Sequence, residues 1–210
     1  MLTLAVDTAA EIGSIALADR NGIREEIRLC APGGFAQTLF GEIEALLACC
    51  QVRLADIELY AAASGPGSFT GVRIGLAAIK GLAEVAGKPA IGISNLEALE
   101  QFGSADLRAP IIDARRGEVF AAVLDREGHE VVPASVLKVQ AFLELVGTRP
   151  VEFISAGFDP GRPFTAAPPE LAAAIARLAI DRCLAGDLCD PASIEANYVR
   201  RSDAELFLKE

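Results

Sequence analysis

Apolar and polar positions alternate in three short runs at the start of the chain, Leu2 to Asp7, Ile12 to Asp19 and Ile23 to Leu29. This period of two predicts three strands. Thr8 to Glu11 joins the first pair, and Arg20-Asn21-Gly22 joins the second with a hairpin signal of the Asn-Gly kind. Ala31-Pro32-Gly33-Gly34 breaks the pattern, and from Phe35 to Cys50 the period becomes helical. Phe35, Leu39, Ile43, Leu46 and Leu47 share one side of that helix, while Gly41, Ala45 and Ala48 form a stripe of small residues. A buried strand at Leu59–Ala63, a helix over 70–87, a strand at Ala90–Ile93 and a helix at Leu96–Phe102 follow.

After Gly103-Ser104-Ala105-Asp106 the order starts again. Strands are expected at Ala109–Ile112, Val119–Leu124, Glu130–Lys138 and Val151–Ser155, with a turn at Asp125-Arg126-Glu127-Gly128 and a helix around Gln140–Val146. Pro160, Pro163, Pro168 and Pro169 mark a loop, and Glu170–Ala185 is an alanine-rich helix. The pattern predicts an α/β protein with a structural repeat at half-length: an N-terminal lobe over 1–104 and a smaller, degenerate lobe over 105–210. The β-β-β-α-β-α-β-α order is that of the actin, hexokinase and Hsp70 superfamily.

One stretch organises the rest, Ser64-Gly65-Pro66-Gly67-Ser68-Phe69-Thr70-Gly71-Val72-Arg73-Ile74-Gly75. Glycines on both sides of Pro66 allow a sharp turn, and Ser68 or Thr70 can cap the helix that follows. Within that helix Gly71, Gly75 and Ala78 fall on one face. Each interior glycine costs about 0.8–1 kcal/mol relative to alanine, so a closely approaching backbone is expected to compensate.

Net charge narrows the function classes. The 210 residues carry a formal charge of −10, no Trp and two Tyr. Phosphate neutralisation and base stacking are both poorly served, which excludes a stand-alone tRNA binder. Five cysteines without Cys-x-x-Cys spacing, and a start without a basic region or cleavage site, point to a reduced cytoplasmic protein with no membrane span.

The glycine stretch with its continuation Gly87-Lys88-Pro89-Ala90-Ile91-Gly92-Ile93-Ser94 resembles the TsaB (YeaZ) family, related to the TsaD glycoproteases. Ile112-Asp113-Ala114-Arg115-Arg116-Gly117-Glu118-Val119 and Tyr198-Val199-Arg200-Arg201-Ser202-Asp203-Ala204-Glu205 carry the same likeness. The resemblance implies an actin-like (ASKHA, ribonuclease H-like) fold and a subunit of the complex that installs threonylcarbamoyl on adenosine 37 of tRNA. It also implies a TsaD-type transferase and a TsaE-type ATPase as partners, with tRNA reached only through the complex. In TsaD two metal-binding histidines fall on positions held here by Asn95 and Leu99, so the resemblance implies a lost metal site and no enzyme. Family members commonly carry a His near the start of the first long helix, where Phe35 stands here.

The residues themselves offer little catalytic chemistry. His129 is the only histidine, beside Gly128 in an expected hairpin turn, and reads as an exposed turn residue. No P-loop and no Gly-x-Ser-x-Gly elbow is present, so Ser68 and Thr70 read as loop and cap. Asp7 and Thr8, with Asp113 in the second half, are weak nucleotide-site candidates, and Ser155-Ala156-Gly157 could mimic an adenosine-side loop. An Asp at a strand end is also commonly a turn residue. Arg115 and Arg116 could bind an anion, or pair with Asp113 and Glu118.

The expectation is therefore a non-catalytic scaffold that forms a homodimer when alone and binds the transferase through the same helical face. Phe35, Leu39, Gly41 and Ala45 of the first helix are the expected contacts. On the second they are Phe69, Gly71, Arg73, Gly75, Ala78, Lys80 and Leu82. Arg73 and Lys80 read either as solvated charges or as anchors for the partner. A bulky residue at Gly75 is expected to leave the monomer folded and to abolish pairing. No cofactor is expected; the competing reading is a kinase-like ATPase or a hydrolase on the same fold.

Overall fold

In the computed structural model, which describes residues 1–30, 33–187 and 189–199, the opening alternation forms β1 (Thr3–Asp7), β2 (Ile12–Asp19) and β3 (Gly22–Cys30). A short 3-10 turn at Phe35–Gln37 precedes α1 (Leu39–Cys49). Then come β4 (Leu59–Gly65), α2 (Phe69–Ala86), β5 (Ala90–Ser94) and α3 (Asn95–Glu100). The second series is β6 (Arg108–Arg115), β7 (Glu118–Leu124), β8 (Glu130–Lys138), α4 (Val139–Val146), β9 (Glu152–Ser155), β10 (Thr165–Ala166) and α5 (Ala172–Ala185). Residues 31, 32, 188 and 200–210 lie outside the described residues, and with them part of the Ala31–Gly34 break and most of the Tyr198–Glu205 motif.

The described residues divide into two units, one within 1–95 and 170–196, the other within 96–169 and 197–199. The expected boundary at 103–106 thus gives way to a division after Asn95. The alanine-rich helix, expected in the second lobe, lies with the first unit.

In the first unit the sheet order is β3-β2-β1-β4-β5. β1 pairs antiparallel with β2 and parallel with β4, and β5 runs parallel to β4. β1 and β4 are buried along their whole length, because helices cover both faces. Val6 faces α2: a Cβ built on Gly75 would lie 3.6 Å from its Cγ1. Ser14, opposite Asp7 in the register, accepts the Ala172 N–H of α5 on its hydroxyl at 2.9 Å. Neighbouring strand residues point to opposite faces, so α2 and α5 sandwich the sheet. Arg28 and Glu170 form an ion pair from β3 to the segment that leads into α5.

The second unit repeats the topology as β8-β7-β6-β9-β10, with the same antiparallel and parallel pairings in the same places. This duplication of a β-β-β-α-β-α order is the actin-like arrangement expected from the sequence. The repeat is degenerate where α2 would recur: between β9 and β10 the proline-rich loop replaces a helix. Ala109, Ile111, Val119, Ala121 and Phe153 pack with Phe142 of α4, whose ring meets that of Phe153 edge to face. Among the described residues no helix is long and apolar enough to cross a membrane.

Candidate functional site

The glycine stretch is built into the first unit as a clasp between β1 and α2. β4 runs into Gly65 at φ 97, and the Gly65–Pro66 bond is cis. Ser68 caps α2, accepting the Gly71 N–H on its hydroxyl at 3.2 Å. The Ser68 N–H donates to Ala9 O at 2.6 Å, and Thr8 Oγ1 donates to Gly71 O at 2.7 Å. A Cβ at Gly71 would overlap the Thr8 carbonyl, and one at Gly67 would overlap that of Ala9. The backbone that the helix glycines admit is therefore the chain's own β1–β2 turn. Gly71, Gly75 and Ala78 are buried by it and by the sheet.

Asp7 sits behind this clasp at 1 % exposure. Its Oδ1 accepts the Ala9 N–H at 2.8 Å, and both oxygens lie 3.3 Å from Asn95 Nδ2. Asn95 Oδ1 in turn accepts the Gly65 N–H at 3.0 Å. Burial pushes the Asp7 carboxyl up to about 6, with Glu26 adding a smaller push, against the Ala9 and Asn95 hydrogen bonds that lower it. Sequence reasoning saw Asn95 only as a missing metal ligand; here its amide ties β1 to the glycine turn. Leu99 is fully buried.

An open cavity of about 450 Å³ adjoins the clasp, lined among others by Thr8, Glu11, Cys30, Phe35, Ser68 and Thr70. Phe35 is buried, its ring against Gly13, and Leu39 is buried at the start of α1.

The outer surfaces of α1 and α2 carry the exposed members of the predicted interface. On α1, Gly41, Ala45 and Ala48 are exposed beside Phe40, which is 56 % exposed. On α2, Phe69 is 41 % exposed, and the Arg73 guanidinium stacks 3.7 Å from its ring centroid. Ala77 and Gly81 continue that stripe to Val85, 91 % exposed. Sequence reasoning named Phe69 and Arg73 of this stripe together with the buried Gly71, Gly75 and Ala78, and did not name Ala77, Gly81 or Val85. The cue was available, because Phe69, Arg73, Ala77, Gly81 and Val85 repeat at four residues. Lys80 turns instead to its own chain, donating to Ile194 O at 2.9 Å and Ala192 O at 3.4 Å. It thereby holds a strap over 189–196 whose Ile194 packs on Gly92. Leu82 is half-buried.

The second unit holds the remaining candidates. Asp113 Oδ1 accepts the Arg115 N–H at 2.8 Å, and its Oδ2 lies 3.7 Å from the Arg115 guanidinium. Ser155 Oγ donates to Ile111 O at 3.1 Å. His129 is in the exposed turn expected for it, with Nδ1 3.2 Å from Asp125 Oδ2. Asp125, Glu127 and His129 could bring three ligand atoms within 4.8 Å. Asp125 Oδ1 already accepts the Glu127 and His129 N–H groups, so this cluster is accounted for as a turn clasp. At the end of α3 Glu100 pairs with Arg108 at 3.3 Å, and burial pushes its carboxyl up to about 7 despite that arginine.

The family model for TsaD, tRNA N6-adenosine threonylcarbamoyltransferase, matches residues 31–172. The tRNA threonylcarbamoyladenosine biosynthesis protein TsaB of Escherichia coli is 34 % identical over 165 residues, 75 % of this chain and 71 % of that protein. The structure of YeaZ from Pseudomonas aeruginosa superposes with a TM-score of 0.75 at 25 % identity, over 94 % of this chain and 99 % of the other. The ethanolamine utilization protein EutJ from Carboxydothermus hydrogenoformans shares the fold, with a TM-score of 0.51 at 14 % identity over 86 % of this chain and 89 % of the other.

Proposed function

The chain belongs to the TsaB family, and from that premise we propose that it is the non-catalytic scaffold subunit of the system that makes threonylcarbamoyladenosine in tRNA. The outer face of α1 and α2 binds the threonylcarbamoyltransferase, and in its absence pairs two copies of the chain. A TsaE-type ATPase acts on the assembled complex in the cytoplasm, and tRNA is reached through the complex.

The observation that carries this reading is the pair of exposed helix surfaces. Phe40 and Phe69 stand out from helices whose neighbouring positions are Gly41, Ala45, Ala77 and Gly81. Small residues let a partner helix approach closely, and aromatic residues with an arginine are the side chains favoured at interface centres. Arg73 lies flat on Phe69, so its orientation is largely set before a partner arrives.

The non-catalytic part rests on how candidate groups are used. Asp7 is 1 % exposed and its carboxylate is engaged by Ala9 and Asn95. Asn95 and Leu99 supply no pair of metal ligands. The competing reading, an ATPase or hydrolase in its own right, requires Asp7 or Asp113 for activity. Reconstitution of tRNA modification with the Asp7→Asn and Asp113→Ala variants separates the two: full activity with both supports the scaffold, and its loss with either folded variant supports the enzyme. The interface is tested by titrating the transferase with the Arg73→Glu chain, for which a large loss of binding is expected.

A further inference from the structure

The hairpin joining β6 and β7 turns on Arg115 at φ 66, Arg116 at φ 57 and Gly117 at φ 72. Left-handed positions suit Asn or Gly, and a side chain such as arginine costs about 1–2 kcal/mol at each of 115 and 116. The turn thus keeps two guanidinium groups where other residues would fold better. Arg115-Arg116 is one of two adjacent basic pairs in a chain of net charge −10.

The surroundings add a third cation. Lys138, at the end of β8, donates from Nζ to Arg116 O at 2.8 Å. Glu118 stands between Arg115 and Lys138 in the strand registers. Asp113 is engaged by the Arg115 N–H and guanidinium. The Arg115 side chain is nevertheless 73 % exposed, Arg116 is exposed at the apex, and nothing lies within 4 Å of a Cβ built on Gly117. The tip gathers three cations beside the two carboxylates of Asp113 and Glu118, with both arginines exposed, in a chain of net charge −10.

We propose that the Arg115-Arg116 tip, with Lys138, is an RNA backbone contact that binds tRNA phosphates once the transferase complex has assembled. The inference rests on the scaffold reading above. Guanidinium forks match phosphate oxygens bidentately, and two or three such contacts add affinity without enabling an acidic subunit to bind RNA alone. This reconciles the charge of the chain with a working contact to nucleic acid.

The test uses the chain bound to the threonylcarbamoyltransferase, with tRNA binding measured by anisotropy over a salt series. The double variant Arg115→Asn/Arg116→Gly suits the left-handed turn, so it should melt no lower than the parent and bind the transferase unchanged. The expected result is tRNA binding weakened about 5- to 20-fold near ~0.1 M salt, with the salt slope reduced by about 1–2. Unchanged affinity and slope in an intact complex would overturn the RNA contact while leaving the scaffold reading standing. Weaker transferase binding with unaltered tRNA affinity would also overturn it, showing the tip to be a protein contact. Failure of the parent chain to join the transferase would overturn the scaffold reading and the tip's role with it.

Discussion

A Cβ placed on Gly75 would lie 2.6 Å from Thr8 Oγ1, the hydroxyl that donates to Gly71 O. The glycine face of α2 is thereby matched to the end of β1, and its small residues serve the monomer. Gly75→Leu should therefore destabilise the monomer, by about 1–3 kcal/mol for overpacking and more if the Thr8 hydrogen bond is lost. Gly41→Leu on the open side of α1 should instead keep or raise stability, by up to about 1 kcal/mol, and block the partner. Urea unfolding of the two variants checks this, and equal stabilities would contradict the packing described.

Asp7 gives a pH signature. Its carboxyl titrates near 6 when folded and near 3.8 otherwise, so the native state binds the proton more tightly. The resulting stabilisation is full below pH ~4 and lost as pH rises through ~6, about 2–3 kcal/mol in all. The stability of the parent relative to Asp7→Asn should fall by that amount between pH 4 and 7. A difference that stays flat across this window would place Asp7 in a more hydrated setting.

Arg73 should matter little to the isolated chain. Losing its stacking on Phe69 costs about 0.5–1 kcal/mol. Arg73→Glu should unfold within that range of the parent by urea while losing transferase binding and self-association. A variant that binds normally would move the interface off this face.

Lys80 holds the strap, so Lys80→Met should raise amide exchange over 189–196 while leaving the outer face of α2 intact. Exchange unchanged in that segment would show that Ile194 on Gly92 and the Ala90 N–H to Cys189 O bond hold it without the lysine.

The order of strands and helices was legible because buried alternation and helical periodicity act locally, residue by residue. The topology of the second sheet followed from the repeat. What was not legible depends on which element covers which. The alanine-rich helix carries no mark of the sheet it caps; contacts such as those of Ser14 and Glu26, accepting the Ala172 and Ala173 N–H groups, reveal it. Thr165–Ala166 is too short for any pattern to show as a strand. The stripe Gly71, Gly75, Ala78 correctly implied a closely packed neighbour, but composition cannot distinguish the chain's own turn from a partner's helix. Thr8 decides it. Lys80 likewise looked like an anchor and is one, for residues more than a hundred positions away.

Light scattering on the chain alone and mixed with the threonylcarbamoyltransferase, followed by a tRNA modification assay, tests the scaffold role most directly. A dimer that gives way to a mixed complex, with modification only in the mixture and lost with Arg73→Glu, is the predicted result. A transferase that neither binds the chain nor needs it would contradict the account.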